Sequence, residues 1–76
     1  MAEKVDELWL RWGAELARLC SSAGRTQTEL GASALLSKSA ISSFERGTRI
    51  PKRHQAEAID AALSTGGTLT RLWRGA

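Results

Sequence analysis

The sequence predicts an all-α chain folded as a compact five-helix bundle. Apolar residues recur at helical rather than alternating spacing. β-branched residues never alternate with polar ones over a strand's length, and Tyr is absent. Capping and stopping residues punctuate the chain at intervals suited to short helices. Seventy-six residues make one domain, and a chain of this size buries only about 60% of the surface it exposes when unfolded, so its elements must be few. With 42% hydrophobic and 25% charged residues, it falls in the globular rather than the disordered range. The aromatics are Trp9, Trp12, Phe44 and Trp73, so Leu, Ile, Val and Ala must supply the rest of the core.

Val5, Leu8, Trp9, Trp12, Leu16 and Leu19 mark one face of a first helix, continued by Cys20 and Ala23 and stopped by Gly24; Leu10 falls off that stripe. The two tryptophans on that face are core residues rather than ligand-stacking ones. Thr26-Gln27-Thr28-Glu29 has the capping-box pattern, which starts a second helix at Gln27 that runs to about Ala34 and buries Leu30 and Ala34. Ser37 can cap a third helix from Lys38 to about Arg46, with Gly47 as its stop. At 100° per residue this helix turns Ala40, Ile41 and Phe44 inward and Lys38, Ser39, Ser42, Ser43 and Arg46 outward. Surface helices favour Glu, Lys and Gln over Ser, so a face of hydroxyls and two cations is unusual, and its short side chains let a partner approach closely. A basic loop, Thr48 to Arg53, holds the only proline, Pro51. A fourth helix spans about Lys52 to Leu63 with Ala56, Ile59, Ala62 and Leu63 inward, and Ser64-Thr65-Gly66-Gly67 breaks it. Thr68 to Arg74 forms a last short helix presenting Leu69, Leu72 and Trp73.

Several function classes are disfavoured. A single cysteine cannot staple the fold, which points to a reducing compartment. The N-terminus shows no signal-peptide pattern, and no apolar stretch approaches the ~20 residues that span a bilayer. A cytoplasmic protein without membrane contact is expected. His54 is the sole histidine, and neither a Cys/His cluster with metal spacing nor a glycine-rich loop after a strand is present. No catalytic residue, metal, cofactor or small-molecule ligand is therefore expected. Cys20 lies on the buried stripe, where it reads as a small inert hydrophobe.

Charge points to an acidic partner. The net charge is +3, but its distribution is more telling. Residues 1–22 balance Lys4, Arg11 and Arg18 against Glu3, Asp6, Glu7 and Glu15, whereas residues 37–54 set Lys38, Arg46, Arg49, Lys52 and Arg53 against Glu45 alone. Positive charge gathered mid-chain is what a nucleic-acid footprint requires, and also what a solvated basic loop would show.

Two short helices joined by a tight turn, the second with a polar outer face, follow the helix-turn-helix plan. Residues 13–64 resemble the phage-repressor/Cro-like (Xre-type) DNA-binding family through Gly24, Thr26-Gln27, Glu29-Leu30, Ser37-Lys38-Ser39-Ala40-Ile41-Ser42, Phe44-Glu45-Arg46-Gly47 and Pro51. The tail from Leu63 to Trp73 looks like that of actinobacterial regulators of this type, many of which continue into a further domain, so the chain is either a complete small protein or one module. The resemblance implies a lambda-repressor-like bundle, a single DNA-binding domain over residues 1–76 with its helix-turn-helix at 27–46. It also implies transcriptional regulation, as a repressor, with helix 38–46 in the major groove of double-stranded DNA. By position, Lys38, Ser39, Ser42 and Ser43 would face bases, where Lys can donate to guanine and Ser discriminates less. Gln27, with Thr28 beside it, would anchor a phosphate at a helix N-terminus, and Arg46, Thr48, Arg49, Lys52 and Arg53 would contact further phosphates.

The chain departs from the family pattern at three positions. Cys20 stands where a basic residue commonly pairs with the Glu that here is Glu45, so Glu45 is expected to find Arg46, Arg18 or solvent. Leu35 replaces the usual turn glycine. A left-handed conformation there costs about 1–2 kcal/mol, so a differently shaped turn is expected. Arg25 replaces a usually apolar residue. One short recognition helix is a small footprint, and a weak homodimer forming on DNA is expected, with Leu10, Leu69, Leu72 and Trp73 as candidate contacts and half-sites about 34 Å apart. The alternative for Leu69 to Trp73 is a last helix folded back onto the first within one chain. The competing function is a helix-turn-helix-fold adaptor that binds protein and does not read DNA.

Overall fold

A computed structural model describes residues 7–74. Five helices follow in order: α1 Glu7–Ser22, α2 Gln27–Ala34, α3 Lys38–Arg46, α4 Arg53–Leu63 and α5 Thr68–Arg74, with no strand among the described residues. The expected five-helix bundle is therefore present. Val5 of the expected α1 stripe lies outside the described residues.

Local chemistry explains the helix ends. The amides of Gly24 and Arg25 bond back to the carbonyls of Ser21 and Cys20, with Gly24 at φ 70°. This Schellman closure ends α1 one residue before Ala23, which is exposed instead of continuing the stripe. Both halves of the capping box form at α2: the Glu29 amide donates to Thr26 Oγ1 at 3.0 Å, and the Thr26 amide donates to Glu29 Oε1 at 2.9 Å. Ser37 Oγ caps α3 by accepting from the Ala40 amide at 3.0 Å. Helix α4 begins at Arg53, with Lys52 as its cap residue and Gln55 Oε1 accepting from the Lys52 amide at 2.8 Å.

The turn between α2 and α3 corrects one expectation. Leu35 takes the left-handed conformation despite its side chain (φ 61°, ψ 41°), and the Leu36 amide closes onto the Gly31 carbonyl at 2.7 Å. The turn thus keeps the shape that a glycine would give it. Gly31 is needed for it, since a Cβ there would stand 2.5 Å from the Leu36 carbonyl oxygen.

Trp12 centres the core. Its ring meets Trp9 and Phe44 edge-on, each at 6.2 Å between centroids, and its Nε1 donates to the Leu69 carbonyl at 2.9 Å. One side chain thereby ties α1 to α3 and α5. Around it are buried Leu16, Cys20, Leu30, Ala34, Ala40, Ile41, Ala56, Ile59 and Leu69. The last helix folds back onto the first within the chain, so Leu69 is fully buried and is no free interface residue. Trp73 is half-buried and donates from Nε1 to the Pro51 carbonyl at 2.8 Å, while Leu10 and Leu72 remain exposed. Helix α1 approaches α3 backbone to backbone at Gly13, where a Cβ would lie 2.3 Å from the Phe44 carbonyl oxygen.

Buried Asp60 of α4 caps α5 across the chain. Its carboxylate accepts from the amides of Leu69 (3.0 Å) and Thr70 (2.7 Å) and from the hydroxyls of Thr65 and Thr70. Burial pushes this carboxyl up, but the hydrogen bonds from Thr65, Thr70 and Leu69 together outweigh it and hold its pKa below the usual carboxylate value.

Candidate functional site

The core packing fixes which face of α3 is presented. Ala40, Ile41 and Phe44 are buried against α1 and α2, so Lys38, Ser39 and Arg46 are exposed and Ser42 and Ser43 half-exposed. With Gln27, the first residue of α2, these five side chains line one open depression of about 320 Å³. The four base-facing candidates and two of the phosphate-facing ones, Gln27 and Arg46, thus share a single surface. Within it, Arg46 Nη1 donates to Ser42 Oγ at 2.6 Å, one turn back along α3. Lys38 and Arg46 put a cation at each end of the helix face.

The remaining candidates lie outside that depression. Thr28 is exposed in the first turn of α2. Thr48 closes the end of α3, its amide and hydroxyl both directed at the Ser43 carbonyl at 3.1 and 3.3 Å. Arg49 holds its guanidinium 5.8 Å from the centre of the Phe44 ring. Lys52 is exposed at the start of α4, and Arg53 is paired with Glu57 one turn on, at 3.2 Å.

Glu45 corrects a second expectation. Its partner is neither Arg46 nor Arg18 but Gln27, whose Nε2 donates to Glu45 Oε1 at 2.8 Å. Arg18 is already paired with Glu15. This bond joins residues 18 positions apart, on two helices, and no local spacing rule could have revealed it. The Cys20 thiol donates to the Arg25 carbonyl at 2.9 Å; burial, and then the nearby Glu45 charge, push its pKa up, so it stays protonated and unreactive. Arg25, in its apolar position, extends over the surface to Ser33 Oγ at 3.3 Å.

The geometry suits a large, grooved, anionic partner. An α-helix with its side chains is about 10–12 Å across, which matches the ~12 Å width of a DNA major groove, and α3 offers nine residues to lie along it. At the start of α2, the amides of Gln27 and Thr28 are left over by the capping box and point along the positive end of the helix dipole. A family model described as a helix-turn-helix domain matches residues 11–73, most of the chain. The chain belongs to the helix-turn-helix domain family. The family is one of DNA-binding domains, in accord with the resemblance carried by residues 13–64. No curated protein matches the chain. Helices α2 and α3 lie within the matched residues, with Leu35 at the turn between them. No helix among the described residues is long and apolar enough to cross a membrane.

Proposed function

We propose that this helix-turn-helix domain is a sequence-specific regulator of transcription in a bacterial cell, a repressor that lays α3 in the major groove. The supporting observation is the convergence of Gln27, Lys38, Ser39, Ser42, Ser43 and Arg46 on one depression. Lys38 and Ser39, at the N-terminal end of α3, read base edges together with Ser42 and Ser43. Gln27, Thr28, Arg46, Thr48, Arg49, Lys52 and Arg53 hold phosphates on either side. Arg53 contributes least, because Glu57 already offsets its charge.

Two copies bind one operator. Of the four candidate contacts, Leu10 (45% exposed) and Leu72 (39% exposed) are the two that stay exposed. With so little apolar area the free dimer is weak, and it forms on a near-palindrome with half-sites about one helical turn apart. Sedimentation with a selected palindromic duplex tests this: two chains per duplex are expected, and saturation at one chain would exclude the dimer.

Specificity is tested by binding selected operators and random duplex with Lys38→Ala and Ser39→Ala. Discrimination is expected to fall by about 1–3 kcal/mol at the bases these residues touch, with a smaller loss on random duplex. Equal losses on both DNAs would remove base reading from these residues. Absence of any duplex binding by the wild type would favour the adaptor instead.

A further inference from the structure

One contact on the rim of the depression has no part in the roles above. Gln27 Nε2 donates to Glu45 Oε1 at 2.8 Å, joining the first residue of α2 to the last turn of α3. A carboxylate only accepts, so it is the nitrogen end of the amide that faces Glu45, and chemistry fixes the orientation of the group. The two ion pairs among the described residues are Arg18 with Glu15 and Arg53 with Glu57, so Glu45 has no cation within pairing distance there. Its neighbour Cys20 is a neutral, buried thiol. The Gln27 amide is therefore the hydrogen-bond donor that meets this half-buried negative charge, and a bond to an ionised acceptor is a strong one.

We propose that Glu45 is a positioning residue that accepts a hydrogen bond from one N–H of the Gln27 Nε2 group and so holds the other N–H toward the DNA backbone. The proposal rests on the DNA-binding reading above. A glutamine at a helix end has three rotatable bonds and gives up that freedom when it grips a ligand. Glu45 removes the freedom beforehand, in the free protein. The carboxylate also polarises the amide, which makes the remaining N–H a better donor. Across the turn, the same bond sets the start of α2 against the end of α3, so the phosphate anchor and the base-reading helix keep one spacing.

A double-mutant cycle in DNA affinity is the test, with wild type, Gln27→Ala, Glu45→Ala and the double variant titrated with random duplex at one low salt concentration. Each single substitution is expected to weaken binding about three- to tenfold, the worth of one net hydrogen bond. The double variant is expected to bind no worse than the weaker single one, because Glu45 acts through Gln27. Thermal melts of all four separate this coupling from loss of fold, which does not produce non-additive affinities among folded variants. Glu45→Gln, which keeps an acceptor oxygen while removing the charge, should stay within about threefold of the wild type. Losses that multiply in the double variant, or a Glu45→Ala variant that binds as tightly as the wild type, would overturn the positioning role alone. A wild type that binds no duplex would overturn it together with the DNA-binding reading.

Discussion

Replacing Leu35 by Gly is expected to stabilise the chain. Leu35 is held at φ 61°, ψ 41°, and its side chain is 91% exposed. The left-handed conformation costs a residue with a Cβ about 1–2 kcal/mol. Almost no burial is lost with the side chain, and the amides of Leu35 and Leu36 keep their bonds to the Ala32 and Gly31 carbonyls. Against this gain, glycine widens the unfolded ensemble and costs about 0.5–1 kcal/mol. The balance is a stabilisation of about 0.5–1 kcal/mol, or a Tm higher by roughly 2–8 °C in a chain of this size. Thermal melts followed by circular dichroism and by tryptophan fluorescence measure it. Leu35→Ala is the control: it keeps the Cβ and so should show no gain. A Tm at or below the wild type for Leu35→Gly would refute the reasoning, because it would mean that the leucine side chain makes contacts the exposed geometry does not contain.

Three further outcomes follow from the packing and charge. Asp60→Asn should destabilise the fold by about 2–4 kcal/mol, since one of the two accepting oxygens becomes an NH2 that faces either the Leu69 amide or the Thr70 amide, a donor against a donor. Because the folded pKa of Asp60 lies below its unfolded value of about 3.9, its contribution is complete above that value and is lost as pH falls through the folded value. Urea titrations from pH 7 downward should therefore show a constant gap between wild type and Asp60→Asn that begins to narrow only once the pH falls below the unfolded value. Gly13→Ala should cost about 1–3 kcal/mol despite the better helix propensity of Ala, because the new Cβ meets the backbone carbonyls of Phe44 and Glu45 at 2.3 and 2.5 Å; the exposed Ala14 changed to Gly calibrates the propensity part. Arg49→Ala combined with Arg53→Ala should reduce the salt slope of duplex binding by less than two units, since Arg53 is shared with Glu57.

The sequence is legible where the controlling interaction is local. The α1 stripe, the Thr26/Glu29 box, the Ser37 cap and the Gly24 and Gly47 stops each act within one or two turns, and the helices begin and end where these residues put them. The outward-facing set of α3 was legible for the same reason: once Ala40, Ile41 and Phe44 face inward, helical geometry leaves Lys38, Ser39, Ser42, Ser43 and Arg46 outward. Propensity misled at Leu35, because the bonds that close the turn from both sides outweigh the cost of one left-handed residue. Contacts between distant residues were hidden. Trp12 with Leu69, Asp60 with Thr70 and Gln27 with Glu45 depend on how whole helices pack, which spacing along the chain does not encode. For the same reason, Leu69 is an interface candidate by sequence with the core as its alternative, and the packing of α5 against α1 decides for the core.

If α3 and the N-terminus of α2 form a surface for double-stranded DNA, the affinity of the wild type and of Arg46→Ala for duplex across a range of salt will show it. Log K should fall linearly with log salt with a slope of about −3 to −5, for three to five phosphates neutralised, and removing Arg46 should make the slope shallower by about one. A wild type that does not bind duplex at low salt, or a slope that Arg46→Ala leaves unchanged, would contradict it.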